Sequence, residues 1–156
     1  MRIGFDLDGV IFKPVIFPLW IYNIIKKINL DFIAYKNLPQ AKKLFYRLIK
    51  INQEVKKVIE ELKSNNNEII IISGHHISQK KQVLKCLKKV PFDAIYLRPE
   101  GTDYFDFKLK YIKKTRCNFY VEDRADIIKK LKQKLNGECK IIYYRNIKSL
   151  LFLISQ

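Results

Sequence analysis

Hydrophobic positions along the chain form two kinds of pattern, short uniform runs and helical repeats. The runs 69–72 and 141–144 are apolar at every position, which is typical of strands buried on both faces of a parallel sheet. Between such runs, apolar residues recur three and four positions apart, as they do along one face of an amphipathic helix. This alternation predicts an α/β fold, with three layers around a central, mostly parallel five-stranded sheet.

The patterns also place the individual elements along the chain. Strands are expected at 3–7, 68–73, 93–97, 117–122 and 139–144. Helices are expected from Glu54 to the polar run 64–67, then at 78–89, 105–114 and 124–136, with a short apolar helix at the end.

The segment 13–50 interrupts the alternation after the first strand. Its apolar spacing predicts two helices, at 16–28 and 39–50. We therefore expect a core formed by 1–12 and 51–156, with 13–50 as a small helical cap inserted between them.

The sequence predicts a cytoplasmic protein without membrane insertion. The most apolar stretch, 11–25, contains a lysine and two prolines and is shorter than the roughly 20 apolar residues that span a bilayer. The three cysteines are scattered without a Cys-x-x-Cys pair, and the N-terminus has no signal-peptide pattern, so reduced thiols are expected.

The chain is strongly basic, with 31 Lys and Arg against 15 Asp and Glu and a net charge of +16. Such a charge attracts phosphorylated metabolites, nucleic acid or anionic lipid. Because 25 of the 31 basic residues are lysine, AT-rich codon usage or solvated helix faces explain the excess more simply than a dedicated polyanion surface. Charge alone therefore does not identify a partner.

Polar residues suited to metal and phosphate end four of the predicted strands. Ligands of parallel α/β sheets bind at the carboxyl ends of the strands, where such residues converge. Two carboxylates one residue apart at the end of a buried strand are costly to keep ionised without a cation between them. The residues at these four ends are Asp6 with Asp8, Ser73-Gly74-His75, Arg98, and Glu122-Asp123.

In this order the residues resemble the haloacid dehalogenase superfamily of aspartate-nucleophile phosphatases and phosphotransferases. The resemblance covers 1–12 and 52–145 and implies a Rossmann-like core. It rests on four motifs: Asp6-Leu7-Asp8-Gly9-Val10, Ser73 after four isoleucines, Lys108, and Glu122-Asp123 followed by Asp126.

The resemblance implies a Mg²⁺-dependent phosphomonoesterase that forms an aspartyl-phosphate. Asp6 would be the nucleophile, and Asp8 would act as general acid and then as general base. Ser73 would hydrogen-bond a phosphoryl oxygen, while Lys108 would neutralise the charge of the phosphate. The metal would be held by Asp6, the main-chain carbonyl of Asp8, and Asp123.

Two assignments within these motifs stay open at the level of sequence. Adjacent acids and acids four apart both occur in the family's fourth motif, so Glu122, Asp123 or Asp126 could contact the metal. Glu122 could instead pair with Lys108 or hold a metal-bound water. Lys110 is an alternative to Lys108, but an aromatic residue before and an apolar residue after the lysine favour Lys108.

Other residues bear on the substrate. Gly74 and His75 follow Ser73, where relatives often carry a basic residue, so both are candidates for substrate binding. Arg98 could reach phosphate or lie solvated in a loop. The stretch 96–101 is similar to the phosphatase half of polynucleotide kinases, and the helical insertion to that of 5′(3′)-deoxyribonucleotidases. Both imply a nucleotidase or an enzyme that acts on phosphorylated nucleic-acid ends.

Two further functions are compatible with the sequence. The basic surface could hold nucleic acid while the site itself is inactive. The apolar residues around Trp20 could instead bring a phosphatase to a membrane surface.

Overall fold

The computed structural model describes residues 1–13 and 49–154. The chain divides into two compact units, Met1–Lys13 together with Ile51–Gln156, and Pro14–Lys50. The predicted helix at 16–28, and all but the last two residues of the predicted helix at 39–50, lie outside the described residues. The cap assignment therefore stays a prediction.

The core unit contains a sheet of five parallel strands. In chain order they are β1 (Arg2–Phe5), β2 (Glu68–His76), β3 (Ala94–Arg98), β4 (Phe119–Glu122) and β5 (Lys140–Tyr143). Their order in the sheet is β3-β2-β1-β4-β5, so β1 lies between β2 and β4. The strand order changes direction at β1, and ligands of such sheets bind beside the carboxyl end of the strand at this point.

Five helices of the described residues flank the sheet. They are α1 (Gln53–Ser64), α2 (Lys80–Cys86), α3 (Tyr104–Thr115), α4 (Ala125–Leu135) and α5 (Lys148–Ile154), with a 3-10 turn at Ile77–Gln79. Helices α1 and α5 pack together, and α3 packs beside α4. The predicted α/β fold is confirmed. None of the helices in the described ranges is long and apolar enough to cross a membrane.

The four isoleucines of β2 show why uniform runs predict central strands. All four are buried, because successive side chains point to opposite faces of the sheet and each face is covered. Ile70 and Ile72 lie in one hydrophobic cluster with Phe107 of α3 and Leu131 of α4. The apolar faces of the helices thus pack against the apolar side chains of the strands, and both are buried.

Strand β2 continues three residues beyond its predicted end. Its pairing with β3 shifts register between Ser73 and His76, an irregularity that we call the bulge, and leaves Gly74 and His75 without partners in the β3 register. Extra residues in one strand turn the following side chains in a new direction. The predicted helix at 78–89 is correspondingly shorter, since the chain passes through the 3-10 turn before α2 begins.

Candidate active site

The loop after β1 separates the two aspartates of the first motif. The main-chain N–H of Asp6 donates to the carbonyl of Val121 in β4 at 3.0 Å, so Asp6 continues the sheet for one residue. The N–H groups of Val10 and Phe12 both donate to the carbonyl of Leu7, which closes a tight turn. The Asp6 side chain is 3% exposed and the Asp8 side chain 60% exposed. One carboxyl thus lies in the interior and the other at the surface of the core unit.

Gly9 allows a carboxylate to approach this loop closely. Its φ is +75°, and a Cβ atom at this position would lie 1.8 Å from Oδ2 of Asp123. No other amino acid fits here without moving Asp123. The glycine of the first motif therefore brings the end of β4 against the loop that follows β1.

Helix α3 carries Lys108 into the centre of the site. The helix begins with a side-chain cap, in which Asp103 accepts hydrogen bonds from the main-chain N–H groups of Phe105 and Asp106. The Lys108 side chain is fully buried, with Nζ 2.9 Å from Oδ2 of Asp6 and 2.5 Å from Oε2 of Glu122. Lys110, the alternative in the sequence, is exposed.

Burial and neighbouring charges shift the pKa values of Asp6, Lys108 and Glu122. Burial raises the pKa of Glu122 to about 8, with Asp6 adding to the effect and Lys108 opposing it. Burial also raises the pKa of Asp6, against the effect of Lys108. Burial alone would lower the pKa of Lys108, but the acidic groups around it, Tyr120, Asp6 and Glu122, raise it overall. Two carboxyls thus compete for one buried cation.

The three acids near the end of β4 have different surroundings. Oε1 of Glu122 accepts hydrogen bonds from the N–H groups of Asp123 and Arg124, each at 3.2 Å, so both Glu122 oxygens are engaged. Asp126 is exposed and accepts two hydrogen bonds from Arg124, at 3.2 and 2.7 Å. Asp123 is half-buried against Gly9.

Asp6, Glu122 and Asp123 form an acidic cluster. One oxygen of each lies within 4.8 Å of the other two. Asp6 Oδ1 is buried and has no hydrogen-bond partner among the described residues, so the interior holds a carboxylate oxygen that a cation would satisfy. Three carboxyl groups face the single charge of Lys108. Since Mg²⁺ prefers carboxylate and carbonyl oxygens, the donor set and its excess negative charge fit this ion.

The residues at the end of β2 lie beside the same loop. Ser73 is fully buried, and its Oγ accepts a hydrogen bond from the main-chain N–H of His75 at 3.3 Å. The His75 side chain is directed at Asp8, with Nε2 3.1 Å from Asp8 Oδ1. Arg98 donates to the carbonyls of Gly74 and Thr102, at 3.2 and 2.7 Å, so its guanidinium links the end of β2 to the loop after β3.

Two residues of the site had no assigned role in the sequence analysis. The Tyr104 ring lies 4.5 Å from Lys108 Nζ and 5.1 Å from the Arg124 guanidinium, and a Cβ atom on Gly74 would meet it at 2.0 Å. Its position four residues before Lys108, on one helix face, is the signal that could have identified it. Gln79 lies in the 3-10 turn after β2 and contacts His75.

The fold is similar to that of several solved structures. A chain of the Pnkp1/Rnl/Hen1 complex superposes with a TM-score of 0.65 at 15% identity, over 92% of this chain and 45% of that one. A hydrolase of the haloacid dehalogenase superfamily from Ehrlichia chaffeensis superposes with a TM-score of 0.61 at 15% identity, over 99% of this chain and 96% of that chain. The chain has the haloacid dehalogenase fold. A phosphoserine phosphatase with this fold gives 0.58 at 17% identity, over 97% of both chains.

These similarities confirm the predicted fold. The chain spans less than half of the length of the matching chain in the Pnkp1/Rnl/Hen1 complex, which is named an RNA repair complex. No protein-family model matches the sequence, and no curated protein matches it.

Proposed function

We propose that the protein is a Mg²⁺-dependent phosphomonoesterase that works through an aspartyl-phosphate. The observation that best supports this proposal is the environment of the Asp6 carboxylate. The carboxylate is buried, and its Oδ2 lies 2.9 Å from Lys108 Nζ. Its Oδ1 has no hydrogen-bond partner among the described residues. A carboxylate held in this way is a competent nucleophile once the charge of the phosphate is neutralised. The fold shared with a phosphoserine phosphatase supports the same reaction class.

The reaction has two steps that use the two aspartates in turn. In the first, an oxygen of Asp6 bonds to phosphorus, the ester P–O bond breaks, and its electron pair leaves with the alcohol oxygen, which takes a proton from Asp8. In the second, water bonds to phosphorus and gives a proton to Asp8, while the bond between Asp6 and phosphorus breaks. The products are an alcohol and inorganic phosphate, and both aspartates return to their initial states.

Other side chains stabilise charge during these steps. Lys108, held by Glu122, faces the attacking carboxylate and would offset the negative charge of the phosphoryl group. Ser73 would donate its hydroxyl hydrogen to a phosphoryl oxygen. Asp6, Asp123 and the carbonyl of Asp8 would hold Mg²⁺, which when bound neutralises further phosphoryl charge.

We further propose a nucleotide or a phosphorylated nucleic-acid end as the substrate. The net charge of +16 would concentrate polyanions around the protein. The structural similarity to a chain of an RNA repair complex and the local sequence similarity at 96–101 point in the same direction.

The test is a phosphatase assay on nucleoside 3′- and 5′-monophosphates, 3′-phosphorylated oligonucleotides and sugar phosphates, with and without Mg²⁺. We expect Mg²⁺-dependent release of phosphate, with nucleotides or nucleic-acid ends preferred. Asp6→Asn should reduce turnover by at least about a thousandfold, because it removes the nucleophile. Asp106→Asn, an exposed acid on α3, is the matched control and should retain activity. Full activity of Asp6→Asn would reject the mechanism, and equal turnover of sugar phosphates would reject the substrate preference.

The same charge supports one other candidate, an inactive module that binds nucleic acid. This function predicts oligonucleotide binding that weakens steeply with salt, without Mg²⁺-dependent turnover of any substrate in the assay. Turnover that depends on Asp6 would exclude it.

A further inference from the structure

The bulge in β2 brings His75 to the exposed aspartate of the first motif. The His75 side chain is 3% exposed, and its Nε2 lies 3.1 Å from Oδ1 of Asp8. Asp8 itself is 60% exposed, and within residues 1–13 and 49–154 its carboxyl has one hydrogen-bond partner, His75. The buried ring of His75 thus contacts the exposed Asp8 carboxyl, which could rotate freely in solvent without this contact.

The opposite side of the imidazole ring is also held. Oε1 of Gln79 accepts a hydrogen bond from the main-chain N–H of His76 at 2.9 Å, which identifies this atom as the carbonyl oxygen of the amide. The same oxygen lies 3.4 Å from Nδ1 of His75. Because a carbonyl oxygen only accepts, this contact requires a hydrogen on Nδ1. Nε2 then accepts from Asp8 when the carboxyl is protonated, and donates to it when the ring is an imidazolium and the carboxyl is ionised. The edge of Phe12, 6.2 Å away between ring centroids, packs against the imidazole.

We propose that His75 is a positioning residue that orients the Asp8 carboxyl for proton transfer, and that Gln79 in turn orients His75. The inference rests on the proposed function, in which Asp8 serves as acid and base. It gives His75 a role other than direct binding of the substrate phosphate. The main-chain N–H of His75 also donates to Ser73 Oγ, so one short segment contacts two motifs of the site.

The physical reason is the geometry that proton transfer requires. An exposed carboxyl visits several rotamers, and a displacement of about 1 Å can reduce a rate about a hundredfold. General acid catalysis matters most when the leaving oxygen is a poor leaving group, since a good one departs as an anion without a proton. Loss of the His75 contact should therefore act on the leaving-group step and spare phosphate binding.

Two substitutions separate the two contacts of the ring. In His75→Asn, the amide replaces Nδ1 and is too short to reach Asp8. In His75→Gln, the amide reaches the position of Nε2 and can still hydrogen-bond Asp8. We expect His75→Asn to lower kcat/KM for thymidine 3′-phosphate about a hundredfold and that for 4-nitrophenyl phosphate only a few-fold. His75→Gln should recover most of the loss.

Three further readouts distinguish positioning from substrate binding. The inhibition constant of inorganic phosphate should not change in His75→Asn. Combining His75→Asn with Asp8→Asn should lower the rate no further than Asp8→Asn alone, because both changes act through one carboxyl. Lys81→Asn, at an exposed position of α2, is the control and should behave as wild type. Equal losses on both substrates, together with weaker phosphate inhibition, would overturn the proposal and make His75 a phosphate ligand.

A second measurement does not depend on activity. The chain has two histidines, so the imidazole resonances in a long-range proton–nitrogen NMR spectrum can be assigned with the His76→Asn variant. We expect a hydrogen on Nδ1 of His75, and a shift of its Nε2 signal in Asp8→Asn. A bare Nδ1, or an Nε2 signal that does not respond to Asp8→Asn, would overturn the inference. If the wild-type protein hydrolyses neither substrate, the proposed function fails while this measurement still decides the contact.

Discussion

Asp123 and Asp126 are three residues apart and carry the same charge, yet their environments differ. Asp123 lies in the acidic cluster, half-buried against Gly9. Asp126 is exposed, and the hydrogen bonds from Arg124 lower its pKa. A carboxylate already paired with a guanidinium must lose that partner before it can bind a metal. We therefore propose Asp123, rather than Asp126, as the metal contact.

The prediction at this scale concerns metal-dependent stability. Mg²⁺ should raise the melting temperature of the wild-type protein, since a ligand at a hundred times its dissociation constant stabilises the fold by about 2.7 kcal/mol. Asp123→Asn should abolish most of this increase, and Asp126→Asn should leave it intact. Thermal unfolding with and without MgCl₂ measures the difference. If Mg²⁺ still raised the melting temperature of Asp123→Asn but no longer raised that of Asp126→Asn, Asp126 would be the metal ligand instead.

The loops that follow β1 and β3 each contain a glycine with positive φ. Gly9 has φ +75° and Gly101 has φ +74°. They differ in their surroundings, because a Cβ atom on Gly9 would collide with Asp123 while one on Gly101 would meet nothing within 4 Å. Both positions thus require a positive φ, and they differ in whether other atoms occupy the space of a Cβ atom.

The matched substitutions Gly9→Ala and Gly101→Ala separate these two effects. Gly101→Ala should cost about 1 kcal/mol of unfolding free energy, the penalty for an L-residue in the left-handed region. Gly9→Ala should cost about 1–3 kcal/mol more, because it also displaces Asp123, and it should remove the stabilisation by Mg²⁺. Urea unfolding with and without Mg²⁺ provides both quantities. Equal costs for the two variants would show that Asp123 moves away without loss.

Asp93 links three parts of the core unit at the end of the sheet opposite the site. Its carboxylate accepts hydrogen bonds from Lys63 of α1, at 2.7 and 2.9 Å, and from the N–H of Ile69 in β2, at 2.7 Å. Burial alone would raise the pKa of Asp93, but the hydrogen bonds from Lys63 and Ile69 lower it overall. A lowered pKa in the folded state makes stability depend on pH.

The stabilisation by Asp93 should be complete above the pKa of the unfolded chain, roughly 4. It should disappear as the pH falls through the lower folded-state value. Asp93→Asn should therefore lose about 1 kcal/mol at neutral pH, a figure that allows for solvent screening. The difference from wild type should vanish in acid. Urea unfolding between neutral pH and pH 3 tests this, with Lys63→Met as the companion variant. A difference that is constant with pH would contradict it.

The elements that sequence patterns predicted best are those with one periodicity throughout. The run 69–72 has no polar position, and the structure buries all four side chains. The helix predicted at 78–89 was less accurate, because the bulge after Ser73 extends β2 and delays the start of α2. Such an irregularity depends on how two strands pair, so it cannot be predicted from the sequence of one strand alone.

The sequence by itself determined the alternation of elements and which residues stand at the carboxyl ends of the strands, since periodicity and chain order are local properties. The tertiary structure decided which of these residues meet. Asp8 and His75 are 67 positions apart, and their contact depends on the pairing of β1 with β2 and on the bulge. The hydrogen bond from Arg98 to the carbonyl of Gly74 likewise depends on the pairing of β3 with β2.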